Sequence, residues 1–216
     1  MKFLLAPVLA LVSSCGSAMN WSENNRTSDG LSGGSGNSQS YFFFADSSFT
    51  IPSGFSTATV EVIGAGGGGG GGGNGSSSAS GGKGGRGGYA SIDLDVSTAA
   101  GQNWVIQVGA GGAAGMDAGC NASPGSVGQG SQVSYTVAST LIWSVSASGG
   151  TGGQPTMGCN PGADGSNGVG AGGDVNGVSS DSTYGVPGQG GQALSSAGGT
   201  TGTAGSAGYV VIRLTE

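Results

Sequence analysis

Apolar side chains come in short runs along this chain, and from residue 41 onward the spacing within a run is two. Thr57-Ala58-Thr59-Val60-Glu61-Val62-Ile63 is the clearest case. A strand sends successive side chains to opposite faces, so this alternation predicts a half-buried β-strand. The same reading applies to residues 89–96, 104–108, 132–137, 141–147 and 209–214. In the first of these, Ile92, Leu94 and Val96 share one face while Asp93 and Asp95 share the other. Two shorter pieces precede them, the aromatic run Tyr41-Phe42-Phe43-Phe44 and Phe49-Thr50-Ile51 before the turn Pro52-Ser53-Gly54. Beyond the first twenty residues no stretch sustains the 3.6-residue apolar period of a helix. The body reads as all-β and sandwich-like, with Trp104, Trp143, Phe42 and Phe55 as core aromatics.

Between the apolar runs lies glycine. Eight glycines in a row, Gly66 to Gly73, follow Ala65, and elsewhere glycine recurs at every third position: Gly82, Gly85, Gly88; Gly109, Gly112, Gly115; Gly162, Gly165, Gly168; Gly199, Gly202, Gly205, Gly208. A polyproline-II helix has three residues per turn, so this period lines the glycines along one edge. Without a Cβ on that edge, neighbouring backbones can approach closely. Their N–H and C=O groups have no partners within such a helix and must bond sideways. The insertions are therefore expected to form packed polyglycine-II-type helices. Flexible Gly/Ser linkers are the competing reading, but a linker needs no period of three.

The beginning of the chain differs. Lys2 precedes the apolar run Phe3 to Val12, which ends in Ser13-Ser14-Cys15-Gly16. Positive residue, apolar core and small residues follow the order of an export signal. Residues 21–40 are rich in Gly, Ser and Asn and read as a linker. Three parts are thus expected: an apolar N-terminal segment over 1–20, a linker over 21–40 and a glycine-rich β domain over 41–216.

Composition narrows the chemistry. Glycine supplies 52 of the 216 residues, and histidine is absent. Without an imidazole, Ser-His-Asp and Cys-His nucleophile systems and histidine-held metals are excluded. Five Lys+Arg against eleven Asp+Glu give a net charge of −6, which excludes nucleic acid as a partner. Asp93 with Asp95 could serve acid–base or cation chemistry, but such a pair is more often simply the wet face of a half-buried strand. Asp164, Asn167, Asp174 and Asn176 lie among glycines without a repeated cation-binding consensus. Lys83 and Arg86 read as solvent-facing charge. No enzyme activity, cofactor or metal is expected.

The remaining candidates are cysteines and loops. Cys120 and Cys159 each stand in Gly-Cys-Asn with Pro-Gly soon after. They could form one disulfide between two loops, or remain two free thiols. Loops 116–124, 154–161 and 178–187 break the glycine pattern, which makes Asn121, Ser123, Asn160 and Tyr184 candidate contact residues. Tyr184 is the best placed for stacking on a sugar ring.

Two resemblances bear on function. The Ser13-Ser14-Cys15-Gly16 end of the apolar run resembles a bacterial lipoprotein signal, which would make Cys15 a lipidation site; a retained virion-docking segment is the alternative. Phe49 to Gly54 with the strand before the long glycine run, Gly87-Gly88-Tyr89-Ala90, Gly109 to Gly112, Gly172 to Gly177 and Ala207 to Ile212 together resemble the glycine-rich domain of bacteriophage tail fibres over residues 41–216. That resemblance implies a virion protein, a short fibre or fibre tip, that presents loops to a host-surface receptor. Implied partners are other virion proteins and a host cell-surface glycan or outer-membrane protein, with a homotrimer as one possible assembly. A bacterial surface lipoprotein of adhesive or structural role, located in the cell envelope, is the alternative. A virion decoration or connecting protein without a receptor is a third reading.

Overall fold

The computed structural model describes residues 37–73, 80–117, 122–157, 162–183, 185–186 and 199–216. Within them the regular elements are strands: β1 (Ser38–Phe43), β2 (Ser47–Thr50), β3 (Thr57–Ile63), β4 (Gly88–Asp95), β5 (Asn103–Gln107), β6 (Ser131–Val137), β7 (Thr140–Ala147), β8 (Gly170–Ala171), β9 (Val175–Val178) and β10 (Tyr209–Thr215). They form two five-stranded sheets. Sheet A has the order β1-β10-β3-β4-β9 and sheet B the order β2-β5-β6-β7-β8. Every pairing is antiparallel.

The period-two pattern sets the facing surfaces. Ala58, Val60 and Val62 of β3 and Val210, Ile212 and Leu214 of β10 are fully buried in sheet A. Trp104, Ile106, Val133, Val145 and Ala147 from sheet B complete one continuous core with them. Each large apolar side chain so buried contributes about 1.5–3 kcal/mol. One flank of the sandwich is closed by aromatic rings. Phe49 meets Tyr41 at 4.6 Å and Phe43 at 5.8 Å, and Trp104 meets Trp143 edge-on at 4.7 Å.

Three details differ from the sequence reading. Strand β1 begins at Ser38, inside the stretch read as linker, because its backbone pairs with β10 from Ser38 opposite Thr215 to Phe43 opposite Val210. That pairing needs no apolar side chain at its start. It also puts Phe43, not Phe42, into the core: Phe43 faces inward beside Val210, while Phe42 lies on the other face beside Val211. Strands β8 and β9 carry no alternation and were not foreseen; Val175-Asn176-Gly177-Val178 simply occupies the free edge of β4.

The sheets give the molecule two ends. Strand β3 runs from Thr57 to Ile63, and Gly64 then starts the glycine run. Asn37 enters at the Thr57 end, where its amide Nδ2 donates to Glu216 Oε1 at 2.6 Å. The β6–β7 turn, Ala138-Ser139, lies at that same end. The glycine segments leave from the opposite end.

Candidate functional site

The run after β3 is the axis of a hydrogen-bonded bundle. Its N–H groups rotate among three neighbours in strict order. Gly64, Gly67 and Gly70 donate to the carbonyls of Gly88, Gly85 and Gly82; Ala65, Gly68 and Gly71 to Gln129, Ser126 and Ser123; Gly66, Gly69 and Gly72 to Ser206, Thr203 and Thr200. These bonds are 2.9–3.0 Å long. Carbonyls of the same run accept from two further segments, Ala65 and Gly68 from Gly150 and Gly153, and Gly66 and Gly69 from Gly112 and Gly115. Residues 64–73 are buried throughout. Lateral bonds thus satisfy backbone groups that burial closes to water. The packing is as close as glycine permits. A Cβ at Gly67 would drive into the Thr151 carbonyl, one at Gly84 into the Gly67 carbonyl, and one at Gly112 into the Ser126 carbonyl.

Where the bundle meets solvent, polar side chains take over the role of backbone acceptors. Asp164 Oδ1 accepts from Lys83 N at 2.7 Å, and Asn167 Oδ1 accepts from Arg86 N at 2.9 Å. Donors and acceptors are both three residues apart, so the side-chain bonds keep the register of the glycines. Thr151 and Ser148 do the same for Ser166 N and Val169 N. The other carboxylates follow suit. Asp174 receives Asp93 N, Asp46 receives Val108 N, Asp117 receives Gly199 N and Asp181 receives Thr183 N. Asp95 receives both the N and the hydroxyl of Ser97, which holds its carboxyl below the usual carboxylate range. Asp93 takes the Thr59 hydroxyl at 2.6 Å. The sites suggested by Asp93/Asp95 and by Asp164, Asn167, Asp174 and Asn176 are accounted for by these bonds; Asn176 is bound within its own turn, to Gly173. Among the described residues no group of His, Cys, Asp or Glu is arranged to hold a metal. Arg86 departs from its reading as solvent-facing charge. Its Nη1 donates to the carbonyls of Asp181 at 3.1 Å and Ser179 at 3.5 Å, tying the 179–181 turn to the bundle.

The far end of the bundle gathers several chain segments. Gly71 N meets Ser123 O, Thr156 N meets Gly71 O, Gly72 N meets Thr200 O, and Gly162 N meets Ser80 O. Gly73 N is held by Thr156 Oγ1 at 2.5 Å. Ser123, a candidate contact residue, uses its hydroxyl to accept from Met116 N at 2.8 Å and its own N–H to reach Met116 O. It is a brace for this end of the molecule. Met116 and Met157 stand out from the same end, 69% and 76% exposed. Cys120, Asn121, Cys159 and Asn160 lie outside the described residues, but their flanks, 117 and 122 and 157 and 162, are all here. Cys15 also lies outside them. So does Tyr184, whose neighbours are elsewhere: Gly185 bonds Gly87 and Ala207, next to the sheets.

A second cluster, unread in the sequence, covers the outer face of sheet A. Phe44, 49% exposed, stacks on Tyr209 with ring centres 6.3 Å apart. The Tyr209 hydroxyl donates to Asp181 Oδ2 at 3.3 Å, and the Tyr89 hydroxyl to Glu61 Oε1 at 3.4 Å. Glu61 also holds Arg213 at 2.7 Å. Burial, then the Asp181 and Glu61 charges, push the Tyr209 phenol up to about 12. Burial is also the main cause that raises Tyr89, with Glu61 adding to it. The signal was available in part: Tyr209, Val211 and Arg213 alternate with the core residues of β10. What it lacked was the strand order, which sets β3 between β10 and β4.

A two-sheet sandwich whose strand ends continue into a laterally bonded glycine bundle defines an all-β, glycine-rich class of domain. The family comparison agrees with it: the chain belongs to the glycine-rich domain family, whose model matches residues 44–211. No curated protein matches the sequence.

Proposed function

We propose that this protein is a non-enzymatic recognition module of a bacteriophage virion, a short fibre or fibre tip whose glycine bundle is turned toward the host surface. One observation carries the reading: the molecule is polar. Asn37 enters at one end of the sandwich, and the bundle closes at the other with exposed Met116 and Met157. Anything that holds the N-terminal segment therefore points the bundle end outward. Lateral backbone bonds make that end rigid without a core of its own, and a pre-formed surface pays less ordering entropy on binding. The tail-fibre resemblance of residues 41–216 supports the same reading.

A bacterial surface lipoprotein anchored through Cys15 has the same polarity, and the Ser13-Ser14-Cys15-Gly16 sequence favours it. Mass spectrometry of the native N-terminus separates the two: a diacylated Cys15 selects the lipoprotein, and an intact Met1 selects the virion protein. Recognition itself is tested by competition, in which purified protein should block adsorption of the particle that carries it. Met116→Arg with Met157→Arg should abolish the block, whereas Val137→Arg at the opposite end should preserve it. Equal competition by both variants would refute the bundle end as the contact surface.

A further inference from the structure

We propose that the outer face of sheet A binds a neutral saccharide, one sugar face lying on Phe44 and Tyr209 and its hydroxyls meeting Glu61, Arg213 and the Tyr89 hydroxyl. Strand pairing builds the surface. Glu61 lies opposite Val211 and Ser91, and Ile63 lies opposite Tyr209 and Tyr89, so these side chains share one face at neighbouring positions. Beneath them Ile63 and Val211 are buried, although they point away from the sandwich core. The large side chains around them thus form a layer with a dry floor.

The chemistry of that layer selects the ligand. Exposed aromatic surface favours something with an apolar side, as a sugar presents on its C–H face. Around the rings stand a carboxylate, a guanidinium and phenol hydroxyls, which donate and accept within one strand spacing of each other. A purely apolar ligand would desolvate these groups without replacing their bonds. An anion would meet Glu61 and Asp181, and a cation would meet Arg213. Since Glu61 and Arg213 neutralise each other, an uncharged polyol with one apolar face remains. The inference rests on the surface-recognition reading, and it assigns the chemical class to a second face, away from the bundle end.

Saturation-transfer NMR on the purified full chain tests it, with methyl glucoside, methyl galactoside and N-acetylglucosamine as probes. At least one should give a saturable signal with a dissociation constant on the order of 1 mM, weakened about tenfold or more by Phe44→Ala and by Arg213→Gln. Phe44 is half exposed, so its variant keeps the fold, which an unchanged melting curve verifies. Absence of a saturable signal for all three probes would overturn the proposal, as would a signal that survives both substitutions. Such a failure is distinct from a failure of the bundle-end reading, which depends on Met116 and Met157 in the adsorption assay.

Discussion

At Gly67 a methyl group would collide with the backbone of Thr151, while at Gly177 it would meet nothing within 4 Å. Gly67 stands inside the eight-glycine run and Gly177 alone in β9, and the fold packs backbone against the first and leaves the second open. Gly67→Ala should cost on the order of 3 kcal/mol or more, because rigid backbone must move and lateral bonds stretch with it. Gly177→Ala should change stability by less than about 0.5 kcal/mol. Thermal melting of both variants checks this, and comparable losses would mean that the bundle tolerates side chains along its axis. Tyr209 offers a second test at this scale. Its phenol ionises near 12 in the folded chain, against 10.0 for an unhindered tyrosine. The unfolded state therefore loses its proton first. The stability contributed by this group is complete below pH 10 and declines as pH rises toward 12. Tyr89 and Tyr41 are shifted in the same direction and add to the slope. Alkaline unfolding should be steep over this window and shallower in Tyr209→Phe, with ultraviolet absorbance reporting the phenolate. An equal slope in the variant would assign the alkaline sensitivity elsewhere.

The strands and turns show how far local pattern reaches. Strands β3 and β5 through β7 lie within a residue or two of where alternation put them, because one face of each is buried and the other is not. The glycine period likewise anticipated sideways bonding, which depends on neighbours three residues apart. A hairpin turn shows what the pattern omits. Ala138 and Ser139 join β6 to β7 with φ of 46° and 69°. Two-residue turns with both φ positive match the strand twist, yet they favour Asn-Gly. A Cβ in this region strains against the following carbonyl. Ala138→Asn combined with Ser139→Gly should therefore stabilise the protein by about 1 kcal/mol, measured by denaturant unfolding. No gain, or a loss, would show that the native side chains make compensating contacts at this exposed turn.

At the scale of the molecule, sheet and bundle are one object. Strand β3 continues into Gly64, β5 leads into Gly109, β7 into Ser148, and Gly208 leads into β10. The junction is also sealed from within. Ser131, 1% exposed, accepts from Gly109 N at 3.0 Å through its hydroxyl. Neither half can lose its order without pulling on the other. Val60→Ala in the sandwich, worth about 2–3 kcal/mol as a buried truncation, and Gly67→Ala in the bundle should lower one shared transition. Near-UV circular dichroism from the tryptophans would follow the sandwich, and amide exchange of residues 64–72 would follow the bundle. Two separate transitions would show that the halves fold independently.

The division between sequence and structure follows from the range of the forces involved. Alternation by two and glycine by three are local, so the residues by themselves determined an all-β body, most strand positions and the edge along which backbones approach. Absence of histidine removes imidazole chemistry in the same way. Which segment lies beside which is not local. The ring of neighbours around residues 64–73 joins positions more than a hundred residues apart, and many glycine registers would look alike in a sequence. Only the assembled bundle chose one, because the N–H groups of residues 64–72 had to find carbonyl acceptors with no solvent to substitute. The partners of the carboxylates were hidden for the same reason. In sequence Asp93, Asp164 and Asp174 offer free charge, whereas the fold gives Asp164 and Asp174 a backbone N–H and Asp93 a threonine hydroxyl to hold. Tyr209 and Tyr89 on either side of Ile63, and Asn37 at the end remote from the bundle, likewise came from strand order, which sets long-range neighbours that no local period encodes.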